Sequence, residues 1–145
     1  MQMQMKPPDP LRIAPPKMMG IELTNLAYLF LALYMANRRD TGAALMFYVF
    51  AVSTIHHYYA YNRAWFWFDI FVATSVSILL ACIYVPLAKT TSPTFLSALI
   101  IGALAIALFV NSGSDYTSTR FEMYHGLWHV LTAISFFLIL KSAGK

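Results

Sequence analysis

The sequence predicts an all-α integral membrane bundle of about five transmembrane helices. Three observations predict it. Of the 145 residues, 59% are hydrophobic and only 11% charged, whereas soluble domains average roughly 45–50% apolar and about 25% charged. The apolar residues fall in long runs separated by short polar breaks, and crossing a bilayer takes about 20 residues of helix. The runs are also too long for β-barrel strands, which alternate over about 10 residues.

The elements follow in chain order. Residues 1–19, MQMQMKPPDPLRIAPPKMM, carry five of the seven prolines and a few charges. They read as a disordered or extended tail, without the compact apolar stretch of a signal peptide. Residues 20–145 read as one domain. Its first segment, about 20–37, has Glu22 and Asn25 near its start and can lie at the interface. Arg38, Arg39 and Asp40 form a polar turn. The second segment, about 41–61, has Asp40 or Thr41 as N-cap.

Asn62 and Arg63 break the pattern. The third segment covers about 65–87, with Pro86 at its end. Ser92 and Pro93 read as N-cap and first helical residue of the fourth segment, about 93–110, whose Gly102 and alanines suit close helix packing. The fifth segment covers about 121–140. Thr119 and Glu122 stand three apart at its start, the spacing of a capping box. Tyr58, Tyr59, Tyr61, Trp65 and Trp67 are placed to form an aromatic belt at headgroup level.

The formal net charge of +4 fits basic residues near lipid headgroups and does not argue for nucleic acid as a partner. Five spans divide the basic residues evenly. Lys6, Arg12, Lys17, Arg63 and Arg120 fall on one side. Arg38, Arg39, Lys89, Lys141 and Lys145 fall on the other. The single cysteine, Cys82, makes no internal disulfide.

Ionisable groups inside spanning segments are costly and mark functional positions. His125 and His129 stand four apart, so on a helix both imidazoles project from one face, one turn apart, and can share a metal ion. Ser53 and His57 repeat that spacing. His56 points about 100° away from His57, so only one of the two can face the pair; His57 is preferred and His56 is read as an interfacial residue. Asp69 lies just inside the third segment. With five spans, the end of the second, the start of the third and the start of the fifth share one membrane half, which gathers all four histidines and Asp69.

Three histidines plus a water make the open tetrahedral arrangement of a catalytic zinc site. In this reading His57, His125 and His129 hold Zn2+. Asp69 serves as general acid/base, and Ser53 holds the water or hydrogen-bonds a developing oxyanion. The structural alternatives are a first-turn carboxylate for Asp69 and a backbone-bonding hydroxyl for Ser53. Glu122 is read as a cap, and Trp128 as packing beside the site.

These motifs, STIHH, FWFDIF and YHGLWHVLTA, resemble the CREST superfamily of membrane hydrolases. That group includes the alkaline ceramidases, the adiponectin and progestin receptors and the post-GPI-attachment lipid-remodelling proteins. Its pattern is a serine and histidine four apart on the second helix, an aspartate shortly after, and HxxxH on the last helix. The resemblance spans Ser53 to Ala133. It implies zinc on the three histidines and hydrolysis of amide or ester bonds in lipids, with a ceramide-like or acyl lipid as substrate. The family typically has seven spans against five here. Losing two helices between the third and the last preserves the parity of the site, with a smaller or lipid-open acyl cavity expected. A non-enzymatic receptor or scaffold that keeps the zinc is the first alternative. A haem-binding electron carrier is the second, opposed by the four-residue spacing on one helix, since axial ligands must approach from opposite sides.

Overall fold

The computed structural model describes residues 19–58, 63–113 and 118–145. The proline-rich segment 1–18, Tyr59, Tyr61 and Asn62 lie outside the described residues, as does the Tyr58 side chain. The described residues form five α-helices: α1 (Met19–Asn37), α2 (Gly42–Tyr58), α3 (Arg63–Tyr84), α4 (Pro93–Ser112) and α5 (Thr119–Ser142). A short 3-10 turn, Val85–Leu87, extends α3 around Pro86. Among the described residues there is no strand.

Three helical stretches are long and apolar enough to cross a membrane: α3 with its 3-10 extension, α4 and α5. Over the described residues α1 and α2 are apolar but shorter. The outer surface is broadly apolar. Phe71, Ile100, Ile106 and Val110 are each more than 60% exposed, and a soluble monomer rarely displays so broad an apolar exterior.

Local chemistry sets the helix ends. Ser92 caps α4 as the sequence predicts: its Oγ accepts from Phe95 N at 3.1 Å, and Pro93 occupies the first turn, where no amide donor is needed. The cap of α5 differs from expectation. Ser118, one residue earlier than Thr119, accepts from Phe121 N at 3.1 Å. Thr119 is therefore the first helical residue, and Glu122 sits one position too late for a capping box. Before α2, the Asp40 carboxylate accepts from Gly42 N at 2.9 Å and from the Tyr84 hydroxyl. The α1–α2 turn is thereby tied to the far end of α3. Tyr84 is 3% exposed, so Tyr84→Phe strips a charge-assisted bond from a buried position. We expect it to lower stability by about 2 kcal/mol, read from thermal unfolding in detergent.

Each helix buries a stripe at helical spacing. On α1 the stripe is Tyr28, Leu31, Ala32 and Met35; on α3 it is Asp69, Val72, Val76 and Leu80; on α5 it includes Phe121, His125, His129 and Ala133. Helix α2 packs on α1 and α3, and α5 packs on α1 and α4. The packed pairs thus run as an arc, α3–α2–α1–α5–α4. The α4–α5 pair is close because residue 102 is glycine. A Cβ there would come within 3.0 Å of Ser135 Oγ, and that hydroxyl donates to Ala98 O at 2.8 Å.

The two ends of the arc, α3 and α4, both line a cavity of about 390 Å3, to which α1, α2 and α5 also contribute side chains. The cavity falls within the size range of small-molecule pockets, about 300–1,000 Å3. Its walls are largely apolar, with Val76, Leu80, Ile106 and Phe136 among them. The opposite end of the bundle from the histidines is closed by the Asp40–Tyr84 contact and by Lys89 N bonding to Ser142 O at 3.0 Å.

Candidate metal centre

The alternation of helix direction brings the end of α2 beside the first turns of α5. His57, His125 and His129 each offer one ring nitrogen to a common point, and these atoms all lie within 4.8 Å of one another. The rings are 4.9–5.2 Å apart between centroids and inclined at 57–86°. All three residues are buried, at 0–1% exposure.

The closest approach is His57 Nε2 to His129 Nε2, at 3.4 Å. That is long for an N–H···N hydrogen bond, where about 2.7–3.2 Å is usual for nitrogen donors. It matches the edge subtended by two metal–imidazole bonds of about 2.0–2.1 Å at a tetrahedral angle, roughly 3.3–3.4 Å. Further donor atoms point the same way. His57 Nδ1 and both ring nitrogens of His125 have no hydrogen-bond partner among the described residues. Three imidazoles buried together, each offering a ring nitrogen to its neighbours, are a donor set that can hold a metal ion.

The pair on α5 is held by packing. His125 stacks on Phe121, with centroids 4.7 Å apart and planes at 20°. Trp128 lies 5.0 Å from His125 and 4.9 Å from His129, beside the site as its sequence position suggests. Phe109 of α4 packs on both His125 and Trp128. Between them, Gly126 lets α1 approach: a Cβ there would meet Thr24 Oγ1 at 3.2 Å.

Of the two adjacent histidines on α2, His57 joins the cluster. His56 stands outside the three-ligand set and is fully buried, 4.9 Å from the His57 ring and 5.6 Å from Phe66 of α3. Ser53 is 2% exposed, and its Oγ has no hydrogen-bond partner among the described residues. The backbone bond open to a mid-helix hydroxyl is made instead by its neighbour, Thr54 Oγ1 donating to Phe50 O at 2.8 Å.

Asp69 is 3% exposed and lies almost two turns inside α3, which begins at Arg63. A first-turn role at the helix dipole is thereby removed. It stands outside the three-ligand cluster but close enough to Tyr28 for the two to interact electrostatically. Tyr28 packs on His129 at 5.4 Å and shares a side-chain hydrogen bond with Thr132. Tyr28 was not singled out by sequence, because a tyrosine in an apolar run carries no signal of which neighbour it meets.

Tyr28, Phe109 and Trp128 also line the 390 Å3 cavity. The same three rings that pack on the histidines therefore form the wall between them and the apolar space. The fold and this centre together define an all-α bundle with apolar, membrane-compatible helices and a buried three-histidine site. Compared with family models, curated proteins and solved structures, the chain matches none.

Proposed function

We propose that the chain is a multi-pass integral membrane protein of the CREST kind. It holds zinc on His57, His125 and His129 and hydrolyses an amide or ester bond in an acyl lipid, ceramide being the first candidate. The observation that carries this reading is the adjacency of a buried three-imidazole cluster and a largely apolar cavity, with Tyr28, Phe109 and Trp128 shared between them. Bound zinc supplies a Lewis acid that polarises a carbonyl and lowers the pKa of water toward about 7.

The chain's own residues do the rest. The cavity takes the acyl chain and holds the reacting carbonyl at the cluster, excluding bulk water. Asp69, buried but standing off from the ligands, accepts a proton from the attacking water and returns it to the leaving amine or alcohol. Ser53 offers a free hydroxyl for the developing oxyanion.

A test uses detergent-purified protein, elemental analysis and release of free fatty acid from ceramides and phospholipids. Wild type is expected to carry about one equivalent of zinc and to turn over one of these lipid classes. Asp69→Asn is expected to keep the zinc and to lose turnover by about 100- to 10,000-fold, the usual contribution of a positioned acid/base. Zinc without any Asp69-dependent turnover supports the second reading, a zinc-holding receptor or scaffold. No zinc in the wild type removes both.

A further inference from the structure

Among the described residues, Asn25 is the one buried amide at the level of the histidines whose role the zinc site leaves open. It is 0% exposed on α1. Its neighbours place it by triangulation. Thr24, the preceding residue, lies against Gly126 beside His125. Tyr28, one turn on, packs on His129 at 5.4 Å. Its own Nδ2 reaches α2, bonding Thr54 Oγ1 at 2.8 Å and Phe50 O at 3.2 Å, and Thr54 is one turn before His57.

The orientation of the amide is fixed by donor accounting. Thr54 has a single hydroxyl proton, and it goes to Phe50 O at 2.8 Å. Thr54 Oγ1 can therefore only accept from Asn25, so the atom facing it is the nitrogen. Asn25 Oδ1 is left on the other side of the amide, buried and with no hydrogen-bond partner among the described residues. A buried carbonyl oxygen in that state calls for a donor.

Metal binding would create one. A histidine that ligates through Nε2 carries its proton on Nδ1, and such a proton is almost always given to an acceptor that fixes the ring. His57 points Nε2 into the cluster, and its Nδ1 has no hydrogen-bond partner among the described residues. We propose that Asn25 is a positioning residue for the metal site: its Oδ1 accepts the Nδ1–H of His57 once the ligand set is loaded. The assignment rests on the metal-site reading above. It ties α1 to the ligand on α2, and the bond of Asn25 Nδ2 to Phe50 O holds the amide even without Thr54.

The test measures zinc affinity by chelator competition, together with the visible spectrum of the cobalt(II)-substituted protein, in wild type, Asn25→Ala, Asn25→Asp and Thr54→Val. Thr54→Val removes one α1–α2 bond but leaves Oδ1 in place. It is expected to lower the melting temperature while holding zinc affinity within about 3-fold. Asn25→Ala is expected to weaken zinc by about 10- to 100-fold, the usual effect of losing the acceptor behind a ligating imidazole, and to alter the cobalt spectrum. Asn25→Asp is expected to restore affinity to wild-type level or above, because a carboxylate accepts the same proton. Equal zinc affinity in Asn25→Ala and Thr54→Val would overturn the assignment, as would failure of aspartate to rescue. A wild type that binds neither zinc nor cobalt would take the metal reading down with it, whereas metal-replete wild type with an indifferent Asn25→Ala would remove this inference alone.

Discussion

His129→Ala is expected to abolish metal binding and, with it, all lipid turnover. His129 is the hub of the cluster. Its Nε2 lies 3.4 Å from that of His57, its ring is 4.9 Å from His125, and Tyr28 and Trp128 both pack on it. Removing it leaves two imidazoles from two different helices. Loss of an acceptor behind a ligand already costs about 10- to 100-fold in affinity, so loss of the ligand itself is expected to exceed about 100-fold. Stability reports the same event independently of catalysis. A metal that binds only the folded chain, at 100 times its dissociation constant, stabilises by about 2.7 kcal/mol. Wild type should therefore melt higher with zinc than with a chelator, and His129→Ala should melt at the same temperature in both. A zinc-dependent melting temperature in the variant would show that the metal lies elsewhere.

Filling the cavity is expected to separate binding of the acyl chain from chemistry at the cluster. Ala73 of α3 lines the cavity and is not part of the ligand set, so Ala73→Trp places an indole where a lipid chain would lie. Each buried methylene contributes about 0.8 kcal/mol. Displacing about four of them costs about 3 kcal/mol, which is on the order of 100-fold in kcat/KM. The loss should fall on long-chain ceramides, while short-chain substrates and zinc content stay near wild type. If long and short substrates lose activity together, the cavity is not the acyl site. If neither changes, the substrate reaches the histidines by another face.

The Thr119 expectation shows the limit of reading spacing alone. Two residues three apart suggest a capping box, but Ser118 is an equally good acceptor one position earlier, and it is Ser118 that caps α5. Asp69 shows the same limit in reverse. A carboxylate near the start of an apolar run reads equally as a dipole partner or as a buried functional group. The helix begins early enough, at Arg63, to carry the side chain almost two turns inward.

Local periodicity carries five apolar helices, the Ser92–Pro93 start, a shared face for His125 and His129, and, through alternation of direction, one end of the bundle for the histidines and Asp69. Composition and the 3.6-residue repeat are properties of a single helix, and so they are legible along the chain. The tertiary structure alone decided which helices touch. It arranged them as the arc α3–α2–α1–α5–α4, opened a cavity between the arc's ends, chose His57 over His56 for the cluster, and brought Tyr28 of α1 to His129 and Asn25 of α1 to Thr54. Those outcomes depend on side-chain shape across helix pairs, on glycines at 102 and 126 that let backbones approach, and on one hydroxyl proton at Thr54 that turns an amide. No periodicity encodes them, because each is settled by a neighbour distant in sequence.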